Sequence, residues 1–158
     1  MHKAIQNNDI ELVQKLIREG ARVNQQESST PWRDRPLHMA AGNNNVALIE
    51  LLIDHGAYVD AQNKWQNTPI NRAVLNNHTE AVAKLIEKGA DVDRRTPGEL
   101  PNEKGKTLLG IAQDMAKHYP EKDFSKIIKL IQSDRKLREK LILFSTISPL
   151  KLSFILRV

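Results

Sequence analysis

The stretch Asn63 to Asp93, NKWQNTPINRAVLNNHTEAVAKLIEKGADVD, decides the fold. Thr68-Pro69 opens a helix: Thr is a good N-cap, and Pro at the first helical position loses only an N–H that would be unpaired anyway. Ile70 to Leu75 continues it, and Asn76-Asn77 stops it, since Asn takes the left-handed conformation at lower cost than most residues. A second helix follows with Val82, Leu85 and Ile86 on one face, and Gly89 closes it. Ala90-Asp91-Val92-Asp93 leads out in a form suited to a hairpin.

One such helix pair cannot bury its own apolar face, so copies are required beside it. Pro36 and Pro69 are 33 residues apart, as are Ala40 and Ala73, and Gly56 and Gly89. The triplet Val13, Leu16, Ile17 returns as Ile49, Leu52, Ile53, as Val82, Leu85, Ile86 and as Ile127, Leu130, Ile131. Pro36-Leu37-His38-Met39-Ala40-Ala41 and Gly56-Ala57-Tyr58-Val59-Asp60-Ala61 resemble the two signature stretches of ankyrin repeats, and Thr68-Pro69-Ile70 with Ala73 and Gly89 to Asp93 repeat the resemblance. It spans roughly residues 2 to 131 and is strongest over 36 to 93. It implies an all-α ankyrin-repeat solenoid of about four repeats (1–24, 30–62, 63–93 and 104–132), with 133–158 as a C-terminal capping extension or tail.

Departures from the pattern are as informative as the matches. Repeat 1 lacks its leading hairpin and Thr-Pro step, and Lys3, Gln6 and Asn7 on its first helix suit the wet outer face of a cap or follow from truncation. Gly20 to Gly56 is 36, so the loop from Gln25 to Arg35 is enlarged by three, and Arg35 stands where the family usually has a capping Thr. Pro69 to Leu108 is 39, and the six extra residues fall in the Pro-, Gly- and charge-rich stretch Arg94 to Glu103. In repeat 4 Leu108 replaces the Pro and Gly110 the His, and His118-Tyr119-Pro120 turns the corner between its helices. Past Ile131 the usual Gly stop is missing; either Ser133-Asp134 recaps a new helix running to about Phe144, or the helix continues. Beyond Pro149 the alternation of Leu150, Leu152, Phe154, Leu156 and Val158 with polar residues has the period of a strand. Leu141 to Leu156 is too short and too interrupted for a membrane span. This tail either caps repeat 4 or is covered by a partner or a second copy of the chain.

Composition narrows the chemistry. The 158 residues suit one domain with an aliphatic core, since aromatics are 4%. With no cysteine there is neither a disulfide framework nor a thiolate metal site, and a soluble, intracellular, cytoplasmic protein is the expectation. Ankyrin repeats of viruses and intracellular bacteria are also delivered into host cells, which the chain neither requires nor opposes. The five histidines are scattered, without HExxH or CxxC, and Gly105-Lys106-Thr107 echoes a P-loop only superficially because Leu100 stands where its first glycine belongs. No catalytic residue, metal site or cofactor is expected, and His38 is expected to tie hairpin to helix, as the resemblance implies.

What remains is a binding surface. The resemblance implies that hairpin tips and first helices line one concave side that binds another protein. The tip positions are Pro31, Trp32 and Asp34, then Lys64, Trp65 and Asn67; the helix positions are Gly42 and Asn43, then Leu75 and Asn76, with Met39 and Arg72 behind them. Trp32 and Trp65 are the only tryptophans and stand 33 apart, either as partner anchors or as packing between tips. The alternative surface is basic. Residues 1–93 carry a balance of −2 and residues 94–158 one of +7. Arg94, Arg95, Lys104, Lys106, Arg135, Lys136, Arg138 and Lys140 would there meet an acidic protein, a phosphoinositide or, less in keeping with the lack of interleaved aromatics, nucleic acid.

Overall fold

The computed structural model describes residues 1–29, 31–96 and 105–146, with side chains through Leu143 in the last segment. Among the described residues eight helices form four antiparallel pairs: α1 (His2–Gln6) with α2 (Ile10–Arg18), α3 (Pro36–Gly42) with α4 (Val46–Asp54), α5 (Pro69–Leu75) with α6 (Thr79–Glu87), and α7 (Leu108–His118) with α8 (Ser125–Thr146). The inner helices contact one another in the order α1, α3, α5, α7 and the outer ones in the order α2, α4, α6, α8, which makes a one-dimensional stack. No strand is present among the described residues; an isolated bridge between Arg95 and Thr107 marks the last hairpin.

The same local devices recur in each layer. Asn8, Asn44 and Asn77 take positive φ of 54°, 55° and 59° between the paired helices, and Gly20, Gly56 and Gly89 take 87°, 86° and 90° after the second helix. Asp9 and Asn45 cap α2 and α4 by accepting from the N–H of Leu12 and Leu48. Ala4, Ala40, Ala73 and Ala112, at one register of the inner helices, are buried and let those helices pack closely. Val13, Ile49, Val82 and Ile127 are fully buried at the matching register of the outer row.

Side-chain amides stitch layer to layer where the backbone turns. Asn24 donates to Gly56 O at 2.8 Å and accepts from Tyr58 N–H at 3.0 Å. Asn44 accepts from Ala81 N–H and donates to Glu80, and Asn76 donates to Gly42 O. Lys84 bridges Glu50 of the neighbouring layer and Glu87 of its own, and Lys88 reaches Asp54. The carboxylates of these pairs are exposed, so each pair contributes little.

At the C-terminal end the helix continues: α8 runs unbroken from Ser125 through Thr146, so no structural break falls at 132/133. Its first half acts as the outer helix of repeat 4, with Ile127 and Ile131 buried, as is Phe124 just before the helix. Arg135 pairs with Asp93 at 2.8 Å, and Arg138 donates to Ala90 O, which pins the helix to the exit of repeat 3. Leu137, Leu141, Ile142 and Leu143 are exposed. No described helix is long and apolar enough to cross a membrane. Both the Pro- and Gly-rich part of the loop at 97–104 and the alternating tail at 147–158 lie outside the described residues.

Candidate protein-interaction surface

Two hairpins present the tryptophans. In the first, Glu27 N–H donates to Asp34 O at 2.8 Å; in the second, Asn63 N–H donates to Asn67 O at 3.0 Å. Arg33 and Gln66, the residues after Trp32 and Trp65, take φ of 50° and 58°, so both tips turn at the same place. Lys64 N–H donates to Trp32 O at 3.0 Å, joining one tip to the next. The indoles remain 46% and 55% exposed, and their ring centroids lie 5.9 Å apart at 51°. They therefore pack on each other and face solvent at once. The pair contact is worth about 0.5–1.5 kcal/mol beyond area burial.

Asp34 requires a correction. Read from its position it is a tip residue offered to a partner, but it is 6% exposed and acts as an internal strut. Asn63 Nδ2 donates to its Oδ1 at 2.6 Å, and Arg72 Nε lies 3.4 Å from its Oδ2. Arg72 in turn places its guanidinium 5.8 Å from the Trp32 ring centroid. The chain Asn63–Asp34–Arg72–Trp32 thus links a buried polar pair to one half-exposed indole. Asn67 is held as well: its N–H donates to Asn63 Oδ1, and its carbonyl accepts from His38 Nε2 at 2.9 Å.

His38 performs the tying role expected of it. Its Nδ1 accepts from Arg35 N–H at 3.3 Å while its Nε2 reaches the next hairpin, so the ring joins the helix start of repeat 2 to the tip of repeat 3. Burial holds the imidazole below its ordinary pKa, so it stays neutral with the proton on Nε2. In repeat 3 the equivalent Asn71 accepts from Thr68 N–H and Oγ, and among the described residues its side chain makes no bond to the next hairpin. In repeat 4 only Thr107 caps the helix, accepting from Gly110 N–H.

Below the tryptophans a groove of about 800 Å³ opens, lined by Trp32, Trp65, Leu75, Ile111, Met115 and Tyr119, with Thr96, Lys106, Asp114 and His118 among its polar groups. Lys106 and Asp114 pair at 2.6 Å, and that cation holds the Asp114 carboxyl below the usual range. Lys122 stands 5.3 Å from the Tyr119 ring centroid. On the other side of Trp32 a smaller hollow of about 200 Å³ is lined by Met39, Gly42, Asn43, Arg72, Gln6 and Glu27. Asn43 and Asn76 are exposed, and each lends its amide to the preceding layer, Asn43 to Ile5 O and Asn76 to Gly42 O, both at 3.1 Å.

Ile111, Met115 and Tyr119 were not among the sequence candidates. Ile111 holds the register of Met39 and Arg72, and Met115 that of Asn43 and Asn76, once the 39-residue step into repeat 4 is applied. Tyr119 is the C-cap of α7, which has 11 residues where α3 and α5 have 7.

The basic residues of the C-terminal part do not form one field of unpaired charge. Arg135 is held by Asp93, Arg138 by Asp134 and Ala90 O, Arg95 by Gly105 O, and Lys106 by Asp114. Lys136 and Lys140 are exposed on α8, Arg94 is exposed in the last hairpin, and Lys104 lies outside the described residues. Among the described residues no group of three or more His, Asp or Glu side chains could hold a metal ion. His38, His55, His78 and His118 each bond a main-chain carbonyl, and His2 bonds Gln25 O beside Glu27.

Known families agree with this architecture. No curated protein matches the chain. The family model for ankyrin repeats, in three copies, matches residues 1–96, the part where the spacing is most regular and where both tryptophans lie. The chain belongs to the ankyrin-repeat family, whose members are generally protein–protein interaction modules.

Proposed function

We propose that this protein is a non-catalytic binding module whose concave groove holds a segment of a partner protein, with Trp32 and Trp65 as one wall and Leu75, Ile111, Met115 and Tyr119 as floor and far wall. The observation that carries the reading is the continuity of two half-exposed indoles with an apolar groove of about 800 Å³. Aromatic and Met side chains with little free charge are the composition of an interface centre. The indoles are held in place before any partner arrives, by the Asp34 strut and the His38 bond, so little ordering entropy is lost on binding. The partner's segment supplies apolar anchors, and the pairing of Lys106 with Asp114 leaves the floor nearly neutral.

A photo-crosslinking residue placed at Leu75 or Met115, in cells of the source organism, tests this against the same residue at Ala47 on the exposed side of α4. The expected result is one protein captured at the first two positions, lost on Trp65→Ala, and absent from the third. Equal capture at Ala47 would refute the concave assignment.

A further inference from the structure

Repeat 2 departs from its neighbours twice, and both departures meet in one place. Its hairpin loop, Gln25 to Arg35, is three residues longer than the period allows, and Arg35 replaces the capping Thr. Together they build a hollow of about 490 Å³ lined by Arg22, Arg33, Arg35, Asn24, Gln25, Gln26 and Ser28. Three arginines and no acidic residue line it. At the equivalent positions of the next repeat stand Tyr58, Gln66 and Thr68, so the basic character is particular to this hairpin.

The hollow has a fixed wall and two adjustable arms. Arg35 Nη1 donates to Asn24 O, and Asn24 is itself held by Gly56 O and Tyr58 N–H in the next layer. Gln25 O is fixed by His2. Arg22 and Arg33 are exposed. Arg72, Arg135 and Arg138 are paired with Asp34, Asp93 and Asp134, whereas none of Arg22, Arg33 or Arg35 has a carboxylate partner among the described residues; Arg18, Arg94 and Arg95 also have none, but they do not share a hollow. Three like charges around one hollow repel one another, and an anion in their midst reverses the sign of that interaction.

We infer that this hollow is a site for a phosphate group carried on a larger molecule. A carboxylate has two oxygens for three guanidinium forks, whereas a phosphate monoester offers three and carries about −1.5 to −2 charge at neutral pH. Arg matches that geometry with paired N–H donors. The volume leaves room for the group that bears the phosphate. The site lies outside the tryptophan groove and does not depend on it.

The test is an NMR titration of the arginine Nε–H signals of the whole chain with sodium phosphate, against sodium chloride at equal ionic strength. Saturable shifts at Arg22, Arg33 and Arg35 in phosphate alone are expected, and the double variant Arg22→Gln/Arg33→Gln should weaken the response at least about tenfold. Trp65→Ala should leave it unchanged. A capped Gly-phosphoserine-Gly peptide and glycerol phosphate then separate the sources: tighter binding of the peptide assigns a phosphorylated partner chain, and equal or tighter binding of glycerol phosphate assigns a small ester. Shifts that match those in chloride, or that survive the double variant, would overturn the site.

Discussion

His38 is the side chain whose removal separates the folding role of the hairpin row from its binding role. It is fully buried, its Nδ1 accepts from Arg35 N–H, and its Nε2 donates to Asn67 O across 29 residues of sequence. His38→Ala strands the Arg35 N–H, removes one of the two bonds that Asn67 O accepts, and leaves a void. Each unsatisfied buried group costs about 1–3 kcal/mol, and with the lost packing we expect about 3–4 kcal/mol. His38→Asn is the sharper variant, because Asn71 shows that an amide at this register caps the local N–H. It should recover the Arg35 bond but not the reach to Asn67, giving about half the loss. The assay is urea unfolding followed by far-ultraviolet circular dichroism, with the slope compared to confirm an unchanged transition. The pH dependence adds an independent handle. The folded pKa lies below the unfolded value of about 6.5, so the unfolded chain binds the proton more readily. This contribution to stability is complete above the unfolded pKa and declines as pH falls below it. Both variants should flatten that decline. A loss under about 1 kcal/mol for His38→Ala, or an Asn variant no better than Ala, would refute the view that the imidazole joins two repeats.

Three further outcomes follow from the same contacts. Trp65→Ala should remove partner capture while costing at most about 1.5 kcal/mol of stability, since the indole is half exposed and its chief contact is Trp32; the coupled tryptophan signal in near-ultraviolet dichroism should vanish with it. Asp34→Ala should cost about 2–4 kcal/mol by thermal or urea unfolding and release Trp32, because Asn63 and Arg72 both lose their buried partner. Gly56→Ala meets no atom within 4 Å but sits at a φ of 86°, so backbone strain alone should cost about 1–2 kcal/mol, seen as a lowered urea midpoint.

The stack was legible because its determinants are local and periodic. Asn8, Asn44 and Asn77 announce left-handed turns, Gly20, Gly56 and Gly89 announce helix stops, and the alanine and aliphatic registers show which faces meet. The tryptophans were legible for the same reason, as a shared position in successive repeats. Asp34 was not: a carboxylate at a tip position reads as exposed, and its burial depends on Asn63 and Arg72 from the next repeat. Phe124, fully buried, belongs to a turn with no counterpart in the earlier repeats, so no register predicted it. The course of α8 past Ile131 was open because a missing Gly permits continuation without requiring it. The contacts that decide it, from Arg135 and Arg138 to Asp93 and Ala90, span more than 40 residues.

The placement of irregularity is itself a physical argument about function. A stack of uniform layers has uniform flanks, with no hollow deeper in one place than in another. In this chain the inner helices α3 and α5 have equal length and α7 gains about one turn, some 6 Å of added helix, after which Tyr119 joins Trp65 in lining the groove. The hairpin row exceeds the period at repeats 2 and 4, and at repeat 2 three added residues and the Arg35 replacement produce a basic hollow beside Trp32. Neither change is needed to bury the core, because the buried registers Ala40, Ala73 and Ala112 continue across both. An insertion that leaves packing intact and deepens the surface is free to be shaped by what binds there. The groove and the arginine hollow are therefore where binding partners of this particular repeat protein should be sought, ahead of the regular faces it has in common with any stack of its kind.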